Sequence, residues 1–564
     1  MLPACRTEGD GFAIPQFTLN PRDVEGFMDE LHGFHTAFRG CFARSEPRDH
    51  FFHYMVGQFS DLDRKSIEPM ALQVEGGNVR AMQRGISDAV WDEAQMLCTY
   101  HRLVDDDMGD PEGVVIFDES GFPKKGRDSV GVARQYCGAL GKVENCQVGV
   151  FAAYASRHGY ALVDKRLFMP EAWFTETSAA RRTKCEVPED VGLQTKPQLA
   201  VAMLRELRDE GVLPFRYVVA DCLYGNSPEF LEAVEEESHT IYFVSIPAAT
   251  RCWLQGPVMQ PKPYTYRGER RTKRVVAARE KEPIAVEALA KSLHDCFWYR
   301  RKVSEGTKGP IEYEFTKRQV TLCGDGLPGR TVWLVMKRTV GVNPSYWYSI
   351  SNAPVSTRLP LFVWLSGLRW AIEQCFEEAK TELGLDQYEV RKYLGWHHHM
   401  LTTMLAHFFL WHLQIRLGKK STSHYRVPAE DSAGGGLALK NVDDCGRPPP
   451  GSGETTAQPP RLSVAPKKAK AIGTWLGSVV GISGQRSLVV HPALGTAARP
   501  SRLSGRATPA QWGSAPDNRV AARRNGHSPA TESVGPCARR CYPAGGCSNC
   551  REMPGQRQPH TAER

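Results

Sequence analysis

The 564-residue sequence has no long uninterrupted apolar run. A membrane-spanning helix needs about 20 consecutive apolar residues, and the richest candidate, 401–417, is interrupted at His407, His412, Gln414 and Arg416. The first residues, MLPACRTEGDGF, contain no apolar core of the kind that signal peptides have. We therefore expect neither a membrane protein nor a secreted one, and we predict a cytoplasmic location.

Two further patterns are missing from the chain. No segment of 20 to 50 residues recurs, so a solenoid or a propeller is not indicated. The 16 cysteines do not form the compact framework of a small disulfide-rich protein, because the first twelve are scattered between Cys5 and Cys445. Scattered cysteines are typical of reduced thiols in a cytoplasmic protein, and the 41% of hydrophobic residues is typical of a globular one.

The net charge of +8 is unevenly distributed. Residues 1–420 carry 52 Lys and Arg against 54 Asp and Glu, whereas residues 421–564 carry 19 against 9. The second segment is also rich in Gly and Pro, which predicts a low-complexity basic tail without a folded core. The bulk charge therefore says little about the partners of the first 420 residues.

Four cysteines near the end of this tail leave an alternative open. Cys537, Cys541, Cys547 and Cys550 lie close enough together in sequence to bind Zn²⁺ tetrahedrally. Their surroundings lack the hydrophobic residues of a usual zinc finger, which favours an unstructured tail. The tail is either native or an out-of-frame extension, because GC-rich DNA read out of frame gives this composition.

Hydrophobic periodicity divides the first 420 residues into segments of different character. Apolar residues at helical spacing predict a helical N-terminal domain, which either binds DNA or serves as a scaffold. Strands then alternate with helices, which predicts a mixed α/β sheet, and a β-rich stretch follows before helical spacing returns. The predicted divisions are 1–110 (helical), 111–246 (α/β), 247–354 (β-rich), 355–420 (helical) and 421–564 (tail).

Two apolar strands in the α/β segment end in an acidic residue. Gly113-Val-Val-Ile-Phe-Asp118 and Arg216-Tyr-Val-Val-Ala-Asp221 are predicted to be buried strands. Carboxylates at the ends of neighbouring strands can converge on one site, although a strand-end acid is also a common helix cap. Neither acid alone decides between these roles.

The helix predicted around residues 364–380 supplies a third carboxylate. Arg369, Glu373 and Lys380 lie on one helical stripe, because four and seven residues correspond to nearly whole turns. The alternative is a solvated charged face with ion pairs four residues apart. Together with Asp118 and Asp221, Glu373 completes a set of oxygen ligands that suits Mg²⁺.

These motifs, in this order, resemble the DDE transposases of bacterial insertion sequences. The segment Phe117-Asp-Glu-Ser-Gly-Phe-Pro-Lys-Lys-Gly126 looks like the first-Asp motif of that family, and Val219-Ala-Asp221 with Tyr224-Gly225 resembles the second. Arg369, Glu373 and Lys380 match the spacing of the signature around the catalytic Glu. Ser366 stands where that signature has a Tyr.

The resemblance implies an RNase-H-like mixed sheet with flanking helices, in which 247–354 is a β-rich insertion. It implies that Asp118, Asp221 and Glu373 are catalytic and bind two Mg²⁺ ions, with Mn²⁺ as a substitute. It further implies cleavage at the ends of an insertion sequence and joining of the 3′-OH ends to target DNA. The implied partners are the terminal inverted repeats, the target duplex and a second copy of the chain.

Several cations are candidates for binding DNA. The resemblance places Arg369 and Lys380 on phosphates near the cleaved end. Lys124 and Lys125 lie beside Gly121 and Gly126, so they either contact phosphate or form a surface turn. A basic cluster follows Tyr264 and Tyr266, and its alternative is a solvated loop; the candidate residues in it are Arg270, Arg271, Lys273 and Arg274.

The altered tail motivates a second hypothesis for the function. A chain with a damaged carboxyl end could keep a folded core and bind DNA without cutting it. In that case the protein would be a non-enzymatic repressor or inhibitor, a relic of a transposase.

Overall fold

The computed structural model describes residues 26–306 and 309–422. The tail predicted for 421–564, with its four cysteines, lies outside the described residues apart from Ser421 and Thr422. The described chain begins with helices, as the apolar spacing predicts. They are α1 (Phe27–Thr36), α2 (Ser45–Gln58), α3 (Ile67–Gln73), α4 (Val79–Ser87) and α5 (Glu93–Met108).

The next segment contributes six strands to a single large sheet. Its helix α7 (Lys196–Glu210) follows directly from the sequence, because Thr195 and Gln198 form a reciprocal capping box and Gly211 ends the helix in the left-handed region. The strands are β1 (Val114–Pro123), β2 (Ala133–Cys137), β3 (Lys142–Ser156), β4 (Gly159–Phe168), β5 (Tyr217–Ala220) and β6 (Ile241–Ser245). The helices are α6 (Ala179–Lys184), α7 (Lys196–Glu210), α8 (Cys222–Gly225) and α9 (Pro228–Glu235).

The segment 247–354 is rich in strands, most of which extend the same sheet. A short helix, α10 (Val286–Ser292), interrupts it. The strands are β7 (Arg251–Trp253), β8 (Met259–Tyr266), β9 (Glu269–Val276), β10 (Ile284–Ala285), β11 (Tyr299–Gly306), β12 (Gly309–Gly324), β13 (Leu327–Thr339) and β14 (Tyr346–Ser351).

The order of strands in the large sheet is β10-β7-β12-β13-β14-β6-β5-β1-β3-β2, with β11 on β12 and β4 on β3. The three central strands β6, β5 and β1 are parallel to one another, and β14 joins β6 in the antiparallel sense. The sheet is therefore mixed, with helices flanking it, as the alternating pattern predicts. Strands β8 and β9 stand apart as a two-stranded sheet of their own.

Three helices close the described chain and cover the sheet. They are α11 (Leu359–Leu368), α12 (Trp370–Leu383) and α13 (Tyr393–Thr422). Buried apolar side chains of the sheet, of α12 and α13 and of the N-terminal helices belong to one continuous core. None of the helices in the described part of the chain has the length and apolar character needed to cross a membrane.

Polar contacts inside this core join the two ends of the described chain. His399 Nε2 donates to the carbonyl of Leu385, so its Nδ1 accepts the proton of the Tyr54 hydroxyl at 2.7 Å. Gln58 Nε2 donates to Thr403 Oγ1 at 2.7 Å. Helix α2 is thus fixed to α13 by specific hydrogen bonds as well as by apolar packing.

Candidate active site

The two aspartates lie next to each other at one edge of the parallel strands. In the pairing of β1 with β5, Phe117 is opposite Ala220. Asp118 and Asp221 directly follow these two residues in the chain, so they leave this pairing side by side. Both residues are half-buried. The strand patterns therefore predicted the position of both acids at a shared edge.

The end of β1 differs from the prediction. Asp118 does not end the strand, because β1 continues to Pro123 in antiparallel pairing with the long strand β3, where Asp118 is opposite Phe151. Only the parallel pairing with β5 stops before Asp118. The partner strand β3 extends β1 past the point where the apolar run ends.

Asp221 has a structural role at the end of β5. It follows the last residue of the strand and caps helix α8, where its carboxylate accepts a hydrogen bond from the Leu223 backbone N–H at 2.8 Å. The last residue of α8, Gly225, lies so close to β6 that a Cβ atom there would be 2.0 Å from the Ser245 carbonyl oxygen. The absence of a side chain at Gly225 therefore allows α8 to place Asp221.

We expect Gly225→Ala to lower the free energy of unfolding by about 1–3 kcal/mol, the usual cost of forcing extra atoms into a packed site. Alanine otherwise favours a helix over glycine, so the loss would report the clash with Ser245. Urea unfolding followed by circular dichroism measures it. Gly138→Ala is the matched control, because a Cβ there has nothing within 4 Å. An equal effect of the two substitutions would contradict the steric explanation.

The third predicted acid faces this edge from the helical segment. Arg369 lies between α11 and α12, and its Nη2 donates to the Glu373 carboxylate at 2.7 Å. This is an ion pair between residues four apart, which the alternative interpretation of this helix predicts. The Glu373 side chain is 48% exposed.

Arg369 links the three acids electrostatically. Burial on its own would lower the pKa of Arg369, but attraction to Asp118, Glu373 and Asp221 raises it above the ordinary value. For Asp118, burial raises the pKa to about 7; Arg369 lowers it and Asp221 raises it. The edge therefore concentrates negative charge in a poorly solvated place, with one guanidinium compensating for it.

A lysine that the sequence analysis did not select belongs to the same neighbourhood. Lys337, on β13, lies between two aromatic rings, with its Nζ 4.8 Å from the Tyr313 centroid and 5.0 Å from the Trp347 centroid. Burial lowers its pKa to about 8, with Arg369 lowering it and Glu373 raising it. The sequence contained no signal for this role, because one lysine on a strand has no defined spacing to Glu373.

The other predicted phosphate contacts have different surroundings. Lys380 is half-buried on α12, with its Nζ 5.6 Å from the Phe122 ring centroid, and burial lowers its pKa. Lys124 donates from Nζ to the Tyr388 carbonyl at 2.9 Å and lies over the Tyr388 ring, so its ammonium is used inside the protein. Lys125 is exposed. The basic cluster lies on β9, which belongs to the separate small sheet.

The described residues do not present a preformed metal site. Within 26–306 and 309–422, no three His, Cys, Asp or Glu side chains come close enough together to hold a metal ion. The predicted set of three carboxylate ligands is therefore not assembled, since Glu373 is paired with Arg369. The donor chemistry nevertheless fits a divalent cation, because two neighbouring carboxylates, one of them with a raised pKa, would be stabilised by added positive charge.

Comparison with known proteins gives matches to two groups of sequences. Residues 37–310 match the DDE superfamily endonucleases. The chain is also 23% identical over 358 residues to a probable transposase for insertion sequence element IS701 from Microchaete diplosiphon; the match covers 63% of this chain and 80% of that protein. The chain is thus similar to DDE endonucleases and to an insertion-sequence transposase.

The match to the endonuclease family includes two of the three acids but not the third. Asp118 and Asp221 lie inside the matched residues 37–310, whereas Glu373 lies beyond them. A solved structure of the piggyBac transposase synaptic complex with hairpin DNA also matches, with 8% identity, a TM-score of 0.28 and coverage of 74% of this chain. The chain spans 58% of that piggyBac chain, and a TM-score this low does not establish a shared fold.

Proposed function

We propose that the protein is a DNA transposase that cuts the ends of an insertion sequence and joins the 3′-OH ends to target DNA. The observation that carries this proposal is the placement of Asp118 and Asp221 on adjacent parallel strands, with Arg369 electrostatically coupled to both. Both aspartates lie within the part of the chain that matches the DDE endonucleases. An RNase-H-like core with 247–354 as an insertion is part of the proposal.

Asp118, Asp221 and Glu373 would hold two Mg²⁺ ions, for which Mn²⁺ could substitute. Such ions activate an attacking oxygen and stabilise a leaving oxygen at phosphorus. Glu373 would have to exchange its ion pair with Arg369 for metal coordination. Arg369 would then be available to bind a DNA phosphate.

The cations around this edge would position the DNA. Arg369 and Lys337 are electrostatically coupled to the acids and would bind phosphates close to the bond that is cut. Lys380 would do the same, as the family resemblance implies. The exposed Lys125 and the small sheet that contains the basic cluster would contact the duplex farther away. Lys124 would do so only after releasing the Tyr388 carbonyl. The duplex partners would be the terminal inverted repeats and the target, with the chain acting at the bacterial nucleoid.

We expect Lys337→Gln to slow cleavage of terminal-repeat DNA by about 10- to 100-fold. A hydrogen bond to a charged group contributes about 1.5–3 kcal/mol, and each 1.36 kcal/mol is tenfold in rate. Cleavage rates at saturating and limiting DNA measure the effect, and Lys337→Arg should restore most of it. Lys291→Gln, at an exposed position on α10, is the control. A rate within twofold of the unaltered protein would refute the role.

The direct test of the proposed function is cleavage of a duplex that carries the inverted repeats bracketing the reading frame. The protein should cut this duplex with Mg²⁺ or Mn²⁺, stop when EDTA is added, and join the product ends to a second duplex. Absence of cutting with either ion would refute the proposal. We propose that the chain assembles on this DNA as a homodimer. Two forms of the chain that differ in length would be mixed with the DNA, and a complex that contains one copy of each form would reveal the homodimer.

One observation favours the second candidate, a relic that binds DNA without cutting it. Glu373 is paired with Arg369, and within the described part of the chain the acids do not form a ligand set for metal. Under this hypothesis the protein binds terminal-repeat DNA and represses or inhibits transposition. Tight binding with no metal-dependent cutting in the same experiment would support it.

A further inference from the structure

The small sheet of β8 and β9 forms a ribbon with a strong positive charge. Each residue from 261 to 274 is exposed. The strands are joined by a two-residue turn, Arg267-Gly268, in which both residues have positive φ, the conformation that tight hairpins require. The ribbon contains one acid, Glu269, against six cations: Lys262, Arg267, Arg270, Arg271, Lys273 and Arg274.

The strand register sorts these side chains onto two faces. Residues that are directly opposite in an antiparallel pair project from the same face, and alternate residues along a strand share it. The first face, here called the aromatic face, contains Lys262, Tyr264, Tyr266, Glu269, Arg271 and Lys273. The other, here called the arginine face, contains Pro261, Pro263, Thr265, Arg270, Thr272 and Arg274.

The cations of the aromatic face are engaged within the ribbon. Arg271 is paired with Glu269 at 2.8 Å and lies 5.2 Å from the Tyr266 ring centroid. Lys273 lies 5.7 Å from the Tyr264 ring centroid. These contacts stiffen the ribbon, and Glu269 places a negative charge where a phosphate would have to approach.

The arginine face has the opposite character. It contains no carboxylate, and among the described residues neither Arg270 nor Arg274 forms an ion pair. The residues opposite these arginines on β8 are short or carry no charge, namely Thr265 and Pro261. Two guanidinium groups are therefore presented to solvent, from backbone positions about 14 Å apart at about 3.4 Å per residue.

We propose that the ribbon binds duplex DNA through its arginine face, with Arg270 and Arg274 on phosphate groups. The inference rests on the proposed function in taking DNA as the ligand. Guanidinium groups bind phosphate through two parallel hydrogen bonds, and a two-stranded ribbon fits the major groove, which is about 12 Å wide. The aromatic face points away from the DNA and holds the ribbon in shape.

Two double variants of the full chain test the orientation, because each removes two positive charges from the same ribbon. Arg270→Gln with Arg274→Gln alters the arginine face, and Arg271→Gln with Lys273→Gln alters the aromatic face. Binding to a terminal-repeat duplex and to an unrelated duplex of equal length is measured by fluorescence anisotropy over a range of salt concentrations.

The arginine-face variant should lose about tenfold or more in affinity for both duplexes. The slope of log affinity against log salt should fall by about 1.8, which corresponds to two lost phosphate contacts. The aromatic-face variant should lose less than half as much slope. Equal losses, a larger loss from the aromatic face, or no loss from either would overturn the proposal. Circular dichroism melting checks that both variants fold.

Failure of this inference is distinguishable from failure of the proposed function. An unaltered protein that cuts DNA with Mg²⁺, together with an arginine-face variant that binds normally, would refute the inference alone. A protein that never cuts DNA but loses affinity specifically through the arginine face would refute the proposed activity and support the inference.

Discussion

Replacing Asp118 with Asn is expected to reduce Mg²⁺-dependent DNA cleavage by about 10³-fold or more. Metal activation contributes several kcal/mol to reactions at phosphorus, and each 1.36 kcal/mol is tenfold in rate. The carboxylate lies beside Asp221 and the Arg369 guanidinium, so its charge is placed where the metal would bind. Single-turnover cleavage of a terminal-repeat duplex measures the loss.

The fold should tolerate this substitution. Asp118 Oδ1 accepts a hydrogen bond from the Glu119 backbone N–H at 2.8 Å, and the amide oxygen of Asn can accept the same bond. The melting temperature should therefore change little. Asp209→Asn, at an exposed position on α7, is the matched control and should cut at the unaltered rate. Cleavage by Asp118→Asn within threefold of that rate would exclude Asp118 from the catalytic set.

The largest loss of stability is expected from Glu93→Leu, at about 3–5 kcal/mol. Glu93 begins α5 and is paired with the Lys165 ammonium on β4, a side chain with no exposed surface. Removing one partner leaves a buried charge uncompensated, which is strongly destabilising. The free energy of unfolding from urea titration measures the effect at neutral pH.

A double variant tests whether the unpaired charge is the cause. Glu93→Leu combined with Lys165→Met removes both charges, and replacing a whole buried pair with apolar residues is often close to neutral. The double variant should therefore recover most of the stability. A single variant that costs less than about 1 kcal/mol, or a double variant without recovery, would contradict the explanation.

The contribution of Glu93 should not depend on pH between 5 and 8. Burial on its own would raise the pKa of Glu93, but Lys165 and His397 outweigh burial and lower it far below the ordinary value of 4.5. A carboxyl with a lowered pKa in the folded state stabilises the protein above its unfolded-state pKa and loses this contribution only as the pH falls toward the folded-state pKa. The difference between the unaltered protein and Glu93→Leu should thus shrink only in acid.

Local chemistry made the α/β elements predictable. Thr195 caps helix α7 and Gly211 ends it, and both residues act through their own backbone neighbours. The apolar runs before Asp118 and Asp221 are buried strands, as predicted. The continuation of β1 past Asp118 was not predictable, because the pairing that sustains it comes from β3.

The candidate site likewise contains residues that could be predicted from the sequence and residues that could not. The acids and the Arg369–Glu373 pair could be selected from motif spacing. Spacing along a helix or a strand determines where each side chain lies on that element. The burial of the Lys124 ammonium against Tyr388 could not, because the contact joins residues 264 positions apart. The proximity of Lys337 to Glu373 has the same origin, since strand β13 reaches the site only through its place in the sheet.

By itself, the sequence selected the candidate residues of the site: two acids after apolar strands, a third on a helix, and cations at defined spacings. It also separated the nearly neutral first 420 residues from the basic tail. Only the tertiary structure decided which of these charges meet, that Arg369 lies among the three carboxylates, and which face of the β8–β9 ribbon keeps its arginines unpaired. The physical reason is that spacing fixes direction along one element, whereas burial and electrostatic coupling depend on which elements pack together.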